Sequence, residues 1–421
     1  MRDIAATFEV IEDSAAICDV QRGLVSVEAA RERLLDGVVP ISGKQVVPLH
    51  DATGRAVAED VRACIAMPPF DRAAVDGYAV GSGGLGPFRI TARQAAGVAE
   101  GNVLRPDEAV AIFTGAAVPR GTHGVAMREV SQASGARLNL RYAAAAGEHI
   151  RRRGEDAPAG SVILTAGTLI DARHVALLAA AGFGGIAVRR RLRVAILSAG
   201  DELVEAGAPV GSSCVPDSNR PMLRALLGGS QVEIVDCGIV RDNPALIAAA
   251  LLRMADCDLI LATGGVAGSD TDHLLSALHD AGGQGAWMPI ALKPGKPLVF
   301  GHLARARCLF LPGNPVAAMV GAMLFAQPLI ARLLGRSILA PRPYPAILKH
   351  GWSRKAGRAE FAPAVIVDGA PSNQLVVDRV ARAGAARLVP LAAADGLLVV
   401  GAGCGDLVAG DEVGFLPFFC S

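Results

Sequence analysis

Residues 193–203 read RVAILSAGDEL. An uninterrupted apolar run ending in a glycine turn predicts a strand buried inside a sheet. The same texture recurs in DLILATGG (258–265) and CLFLPGNP (308–315), with QVEIVDCGIV (231–240) as a further strand. Between these runs lie helical patterns. SNRPMLRALLGG (218–229) has Ser218 or Asn219 as N-cap, Pro221 in the first turn and Gly228 after the end. DNPALIAAALLRMA (242–255) is capped by Asp242 or Asn243, and PVAAMVGAMLFAQPLIARLLG (315–335) is a long apolar helix. Strands alternating with helices predict a doubly wound, mostly parallel sheet. Ligands of such sheets sit on the loops at the carboxyl ends of the strands, here Ser198–Glu202, Thr263–Asp272 and Pro312–Pro315.

The pattern changes on either side. Residues 24–36 predict a helix with Val27, Ala30 and Leu34 on one face and Ser26 as cap. Between Ala63 and Ile150, short apolar runs (FRIT, AVAIF, GVAM, RLNLRY) broken by glycine and proline predict a small β-rich domain. SVILTAGTLI (161–170) is strand-like, and a helix starts at Asp171 and ends near Gly182. After Ser337, runs such as EFAPAVIV, QLVVDRV, GLLVVG and DEVGFL predict a small all-β domain. The class is therefore α/β plus β-rich domains.

Composition narrows the function. The 421 residues carry 41 Lys plus Arg against 40 Asp plus Glu, a net charge of +1, which argues against a basic nucleic-acid-binding body. Aromatics at 4% disfavour base-stacking platforms. The eight cysteines form no C-x-x-C pair and no zinc-spaced cluster, which suits a reducing compartment. The N-terminal stretch lacks an apolar signal core. The longest apolar stretches, Val175–Phe183 and Pro315–Ala326, fall short of the ~20 residues of a spanning helix. A soluble cytoplasmic protein, bound to neither nucleic acid nor membrane, is expected.

Six segments carry candidate chemistry, each with a plainer alternative. MPPFDRAAVDGYAV (67–80) is a turn, or a rigid loop presenting Asp76. IRRRGED (150–156) is a solvated charge run, or an anion grip by Arg151, Arg152 and Arg153. In LSAGDEL (197–203), Asp201 and Glu202 stand at the sheet mouth as a capped turn or as Mg²⁺ ligands. The Thr263-Gly264-Gly265 turn lets backbone N–H groups approach a phosphate, with Asp270 and Asp272 on the same rim. Lys293 and Lys296 sit on a turn stiffened by Pro294, Gly295 and Pro297, as surface lysines or as contacts to an anion. LPGNP (311–315) is a helix entry capped by Asn314, or aims N–H groups at an anion. His273 and His279, six apart, are read as ordinary helix residues. Residue chemistry alone thus indicates a phosphate-bearing substrate and Mg²⁺.

Seven motifs in order, PPFDRAAVDGYAV, FTGAAVP, RRRGED, SAGDEL, TGG…DTD, KPGKP and LPGNP, resemble the MoeA-type molybdopterin molybdenumtransferases, a family that includes the gephyrin C-terminal region. The resemblance runs from about Val25 to Phe415. It implies an elongated homodimer of four-domain chains: a discontinuous N-terminal domain (1–62 and 157–191), an inserted β-rich domain (63–156), a molybdopterin-binding α/β domain (192–337) and a C-terminal β-barrel (338–421). The implied reaction inserts molybdate into adenylylated molybdopterin, releasing AMP.

By the same resemblance, Asp76, Thr114, Asp156, Lys293 and Lys296 are catalytic, and Glu202, Asp242 and Asp272 hold Mg²⁺. Arg151–Arg153, Ser198, Gly200, Thr263, Gly264, Gly265, Pro312, Gly313 and Pro315 bind substrate. Asp76, Thr114 and Asp156 would meet the α/β domain of the other subunit. Transient contact with a molybdopterin adenylyltransferase is implied as well. The chain departs from the family at Arg72, at Ala267 and Ser269 in GGVAGS, and at Ala385 and Ala386, where hydroxyls are usual. Those departures motivate an alternative, a non-catalytic molybdopterin carrier or scaffold. A third reading is an adenylyltransferase or nucleotide-pyrophosphate hydrolase built on the same α/β domain.

Overall fold

The predicted buried strands form in the computed structural model, which describes residues 23–99, 103–266, 273–336, 341–367, 374–381 and 383–418. The chain divides into two units, one of residues 1–45, 54–56 and 189–421, the other of 46–53 and 57–188.

The larger unit holds strands β1 (Leu192–Ala199), β2 (Val232–Val240), β3 (Leu259–Thr263), β4 (Gln284–Pro289), β5 (Pro297–Leu303) and β6 (Ala306–Leu311). They form one sheet in the order β2-β1-β3-β6-β5-β4. β2, β1, β3 and β6 run parallel, while β5 and β4 add an antiparallel edge. The sequence reading misses β4 and β5, because glycines and prolines between residues 282 and 297 read as loop. From β1 the chain steps outward to β2 and then crosses back past β1 to β3, so its winding reverses between β1 and β3.

Side chains alternate between two cores. Ile196, Leu261 and Leu309 face one side, with helices α1 (Val27–Leu35), α2 (Asn219–Leu227) and α5 (Pro315–Leu333). Leu197, Ile260 and Phe310 face the other, with α3 (Pro244–Arg253) and α4 (Leu274–Asp280). The sheet is therefore doubly wound.

The long helix expected over 315–335 forms from Pro315 to Leu333, past the end of the uninterrupted apolar stretch at Ala326. Pro328 has no N–H for the carbonyl four residues back, and the wider π-helical turn Ala322–Ala326 just before it accommodates the ring. By length and composition the 19-residue helix could cross a membrane, but 83% of its most apolar window is buried in this core.

Strands β7 (Tyr344–Leu348), β8 (Ala359–Ile366), β9 (Val376–Arg379), β10 (Gly396–Val400) and β11 (Glu412–Pro417) close a five-strand barrel in the order β8-β9-β7-β11-β10-β8. Phe415, Leu398 and Trp352 fill it. Phe361, Leu397 and Leu416 instead join the core around α1 and α5. The two-residue strand Leu292–Lys293 adds to β8 in parallel, with Lys293 opposite Glu360.

The smaller unit carries a six-stranded β-sheet ordered Gly124–Met127, Gly77–Val80, Glu108–Ile112, Phe88–Gln94, Arg137–Leu140, Ser131–Ser134. It also holds the helix Ala172–Ala180, where the Asp171 carboxylate accepts from the N–H groups of Arg173 and His174. Only Val162–Leu164 of the run 161–170 is strand.

Candidate active site

The carboxyl ends of β1, β3 and β6 open into a cleft of about 1000 Å³. Glu202 follows β1, Asp242 follows β2, Gly264 and Gly265 follow β3, and Pro312, Gly313 and Pro315 follow β6; all line the cleft. Lys293 and Lys296 line it too, from the turn before β5. Residues spread over a hundred positions meet because parallel strands place all their carboxyl ends on one edge.

Gly264 makes this approach feasible. Its φ is +127°, and a Cβ there would lie 2.2 Å from the Ala199 carbonyl oxygen. Ser198 and Thr263 are not lining residues: they face each other across β1 and β3, are 0% and 2% exposed, and share a 3.1 Å hydrogen bond. They brace the floor instead of offering hydroxyls to a ligand. Gly200 also stays out of the wall, and a Cβ on it would meet the Glu202 carboxylate at 2.7 Å.

One side of the cleft is acidic. The Asp201 N–H donates to Asp242 Oδ2 at 3.4 Å, and the Asp242 N–H donates to Asp201 Oδ1 at 3.3 Å. Burial pushes the Asp242 carboxyl up; the Asp201 and Glu202 carboxylates push the same way, against the Asp201 N–H and His273. Hard carboxylate oxygens crowded in this way suit Mg²⁺. Among the described residues, no three His, Cys, Asp or Glu side chains gather into a ready metal cage. Asp272, the third expected ligand, lies outside the described residues, as do Ala267, Ser269 and Asp270.

The two lysines differ. Lys293 Nζ lies 2.9 Å from Glu360 Oε1, a carboxylate only 9% exposed, whose other oxygen is 3.3 Å from Arg354 Nε. Lys296 is exposed and has no ion-pair partner among the described residues. The wall also holds residues that the sequence reading does not assign to the site: Asp217, Asn219 and Arg358. The Asp217 carboxylate caps α2, accepting from the N–H groups of Asn219 and Arg220 at 3.0 and 3.2 Å; Ser218 makes no cap bond. The Asp-Ser-Asn sequence signals a helix start and conceals a wall residue. Asn243, not Asp242, caps α3, leaving Asp242 to the cleft. Asn314 stands at the start of α5 without a side-chain cap bond.

In the smaller unit, Asp76 Oδ1 accepts from the Thr114 N–H and hydroxyl at 2.8 and 2.7 Å. Those bonds hold its carboxyl below the usual range. The structure thus joins two predicted residues 38 positions apart. Arg151 pairs with Glu155 and, at 2.7 Å, with Asp156. Arg152 pairs with Asp71 at 2.6 Å. Two of the three arginines expected to grip an anion are thus matched by neighbouring carboxylates. Only the Arg153 side chain lacks such a partner among the described residues; its backbone N–H donates to Asp71. Arg152 and Arg153 line a separate cleft of about 810 Å³ with Phe70 and Asp71.

A doubly wound sheet that delivers glycine turns, acids and lysines to one cleft defines an α/β protein whose site suits an anionic ligand. Known proteins narrow this class. Residues 25–182 match the MoeA N-terminal region (domains I and II), 195–332 the "Probable molybdopterin binding domain", and 345–418 the MoeA C-terminal region (domain IV). The chain is 34% identical to the molybdopterin molybdenumtransferase of Haemophilus influenzae over 345 residues, covering 80% of this chain and 85% of that one. It is 32% identical to molybdopterin molybdenumtransferase 2 of Mycobacterium tuberculosis (strain H37Rv), covering 76% and 82%. The crystal structure of a MoeA protein from Pyrococcus horikoshii superposes with a TM-score of 0.79 at 26% identity, covering 94% of this chain and all of that one. The chain belongs to the molybdopterin molybdenumtransferase family. It is a transferase of molybdenum cofactor biosynthesis that handles a molybdopterin-related substrate.

Proposed function

We propose that this enzyme inserts molybdate into adenylylated molybdopterin and releases AMP. The observation that carries the reading is the polarity of the cleft, with Glu202 and Asp242 on its walls together with Lys293 and Lys296. Lys296, without an ion-pair partner among the described residues, meets the oxyanion, while Lys293 is held in place by Glu360. The Gly264–Gly265 and Pro312–Pro315 turns bring backbone close to the substrate. Glu202 and Asp242, with Asp272, would hold Mg²⁺, which as a Lewis acid eases departure of AMP. The dithiolene sulfurs of the pterin take the molybdenum, so no protein thiolate is required. Asp76, Thr114 and Asp156 of the other subunit complete the catalytic set, and Arg153, the one of the three arginines without a carboxylate partner among the described residues, helps hold anions.

The four-domain division, the homodimer, transient contact with a molybdopterin adenylyltransferase and a cytoplasmic location belong to the same proposal. The carrier reading draws on Ala385 and Ala386, which line the cleft without hydroxyls. AMP release from adenylylated molybdopterin, measured with and without molybdate, separates the two. The transferase releases AMP in a molybdate-dependent manner, and Lys296→Ala slows release by about 100-fold, the usual cost of one lost oxyanion contact. Tight pterin binding without release in the unmodified protein would leave the carrier.

A further inference from the structure

The cleft wall contains one buried amide to which no role has yet been given. Asn219, the first residue of α2, is 7% exposed. Its Nδ2 donates to the Gly313 carbonyl at 2.7 Å, across 94 residues of chain. The orientation follows from chemistry, since only the amide nitrogen can donate to a carbonyl oxygen. The Asn219 Oδ1 is buried with no partner among the described residues, so the side chain makes this one bond.

Both ends of the bond bear on the cleft. Asn219 is held at its root by the Asp217 cap and by neighbouring Arg220, which is 6% exposed and ion-paired to Asp217, Asp236 and Glu205. At the other end, the turn into α5 gains nothing from Asn314, whose side chain makes no cap bond. Gly313 lies beside the β3 turn: a Cβ there would be in ordinary contact with Gly264 Cα at 3.7 Å.

We propose that Asn219 is a positioning residue: its amide clamps the Pro312–Pro315 turn against the Gly264–Gly265 turn and so fixes where the oxyanion is held. The catalytic half of this inference rests on the transferase reading; the clamp itself does not. Asn219→Asp preserves shape but turns an acceptor toward the Gly313 carbonyl, and Asn219→Ala removes the clamp without adding charge. In both, the backbone amides of residues 313, 314 and 316–318 should exchange hydrogen about tenfold faster, the size of one lost neutral hydrogen bond, while β1 and β3 are unchanged. The molybdate KM should rise by a similar factor with kcat nearly constant. Unchanged exchange at 313–318 in a folded variant would overturn the clamp. Faster exchange with an unmoved KM would overturn its catalytic role. If the unmodified protein releases no AMP, the transferase reading falls and exchange alone decides the clamp. If Asn219→Asp fails to fold, Asn219→Ala carries the test.

Discussion

Glu360 shows how one residue can matter without belonging to any motif. It is buried between the half-exposed Lys293 and the buried Arg354, whose guanidinium also donates to the carbonyls of Gly401, Cys404 and Arg358. Removing one partner of a buried ion pair leaves the other charge stranded. Glu360→Ala is therefore expected to cost about 3 kcal/mol, the lower end of the range because Arg354 keeps its carbonyl partners. Lys293→Ala, truncating the half-exposed end of the same network, should cost no more than about 1 kcal/mol. Urea midpoints of the two variants would test the contrast, and equal losses would refute it. Nothing in the sequence near Lys293 points to Glu360. The link arises because the Leu292–Lys293 strand pairs in register with β8.

At the scale of elements, local chemistry decides most boundaries. Helix α1 begins where Ser26 Oγ accepts from the Ala29 N–H, and it buries Val27, Ala30 and Leu34, the face that sequence spacing predicts. Ser26→Ala should lower stability by about 1 kcal/mol, read as a lower melting temperature, and Ser26→Asp should restore it. Reading by local signals fails where tertiary packing outweighs them. β5 forms across a proline- and glycine-rich stretch because β6 and β4 offer ladder partners on both sides. Helix α5, by contrast, passes Pro328 as the apolar run 315–335 predicts, and the surrounding core takes up its full length. The side chain that caps α2 is Asp217, just before the predicted Ser218 or Asn219, since its carboxylate reaches the first helical N–H groups from there.

Across the larger unit, the barrel and the α/β layers share one core. Phe361, Leu397 and Leu416 turn outward from the barrel and pack with α1 and α5. A chain truncated after Arg336 would expose that apolar face and remove the strand partner of Lys293. It is expected to bind a hydrophobic dye and to lose cooperative melting by circular dichroism. A sharp transition with native-like α/β signal would show that the layers stand without the barrel.

Residue order by itself determined the class of fold, the order of its strand-turn-helix units and the family, because apolar periodicity and glycine or proline punctuation act over a few residues. It also located the loops after β1, β3 and β6 that border the cleft, since loops after parallel strands share an edge, but not the wall around Asp217, Asn219 and Arg358. It left open what each polar group does there. Tertiary structure alone matched Arg152 with Asp71, set Ser198 and Thr263 against each other, and joined Asp76 to Thr114, Lys293 to Glu360 and Asn219 to Gly313. A side chain's partner depends on which distant backbone the sheet and barrel bring within 3 Å of it, and that is a property of the packed molecule.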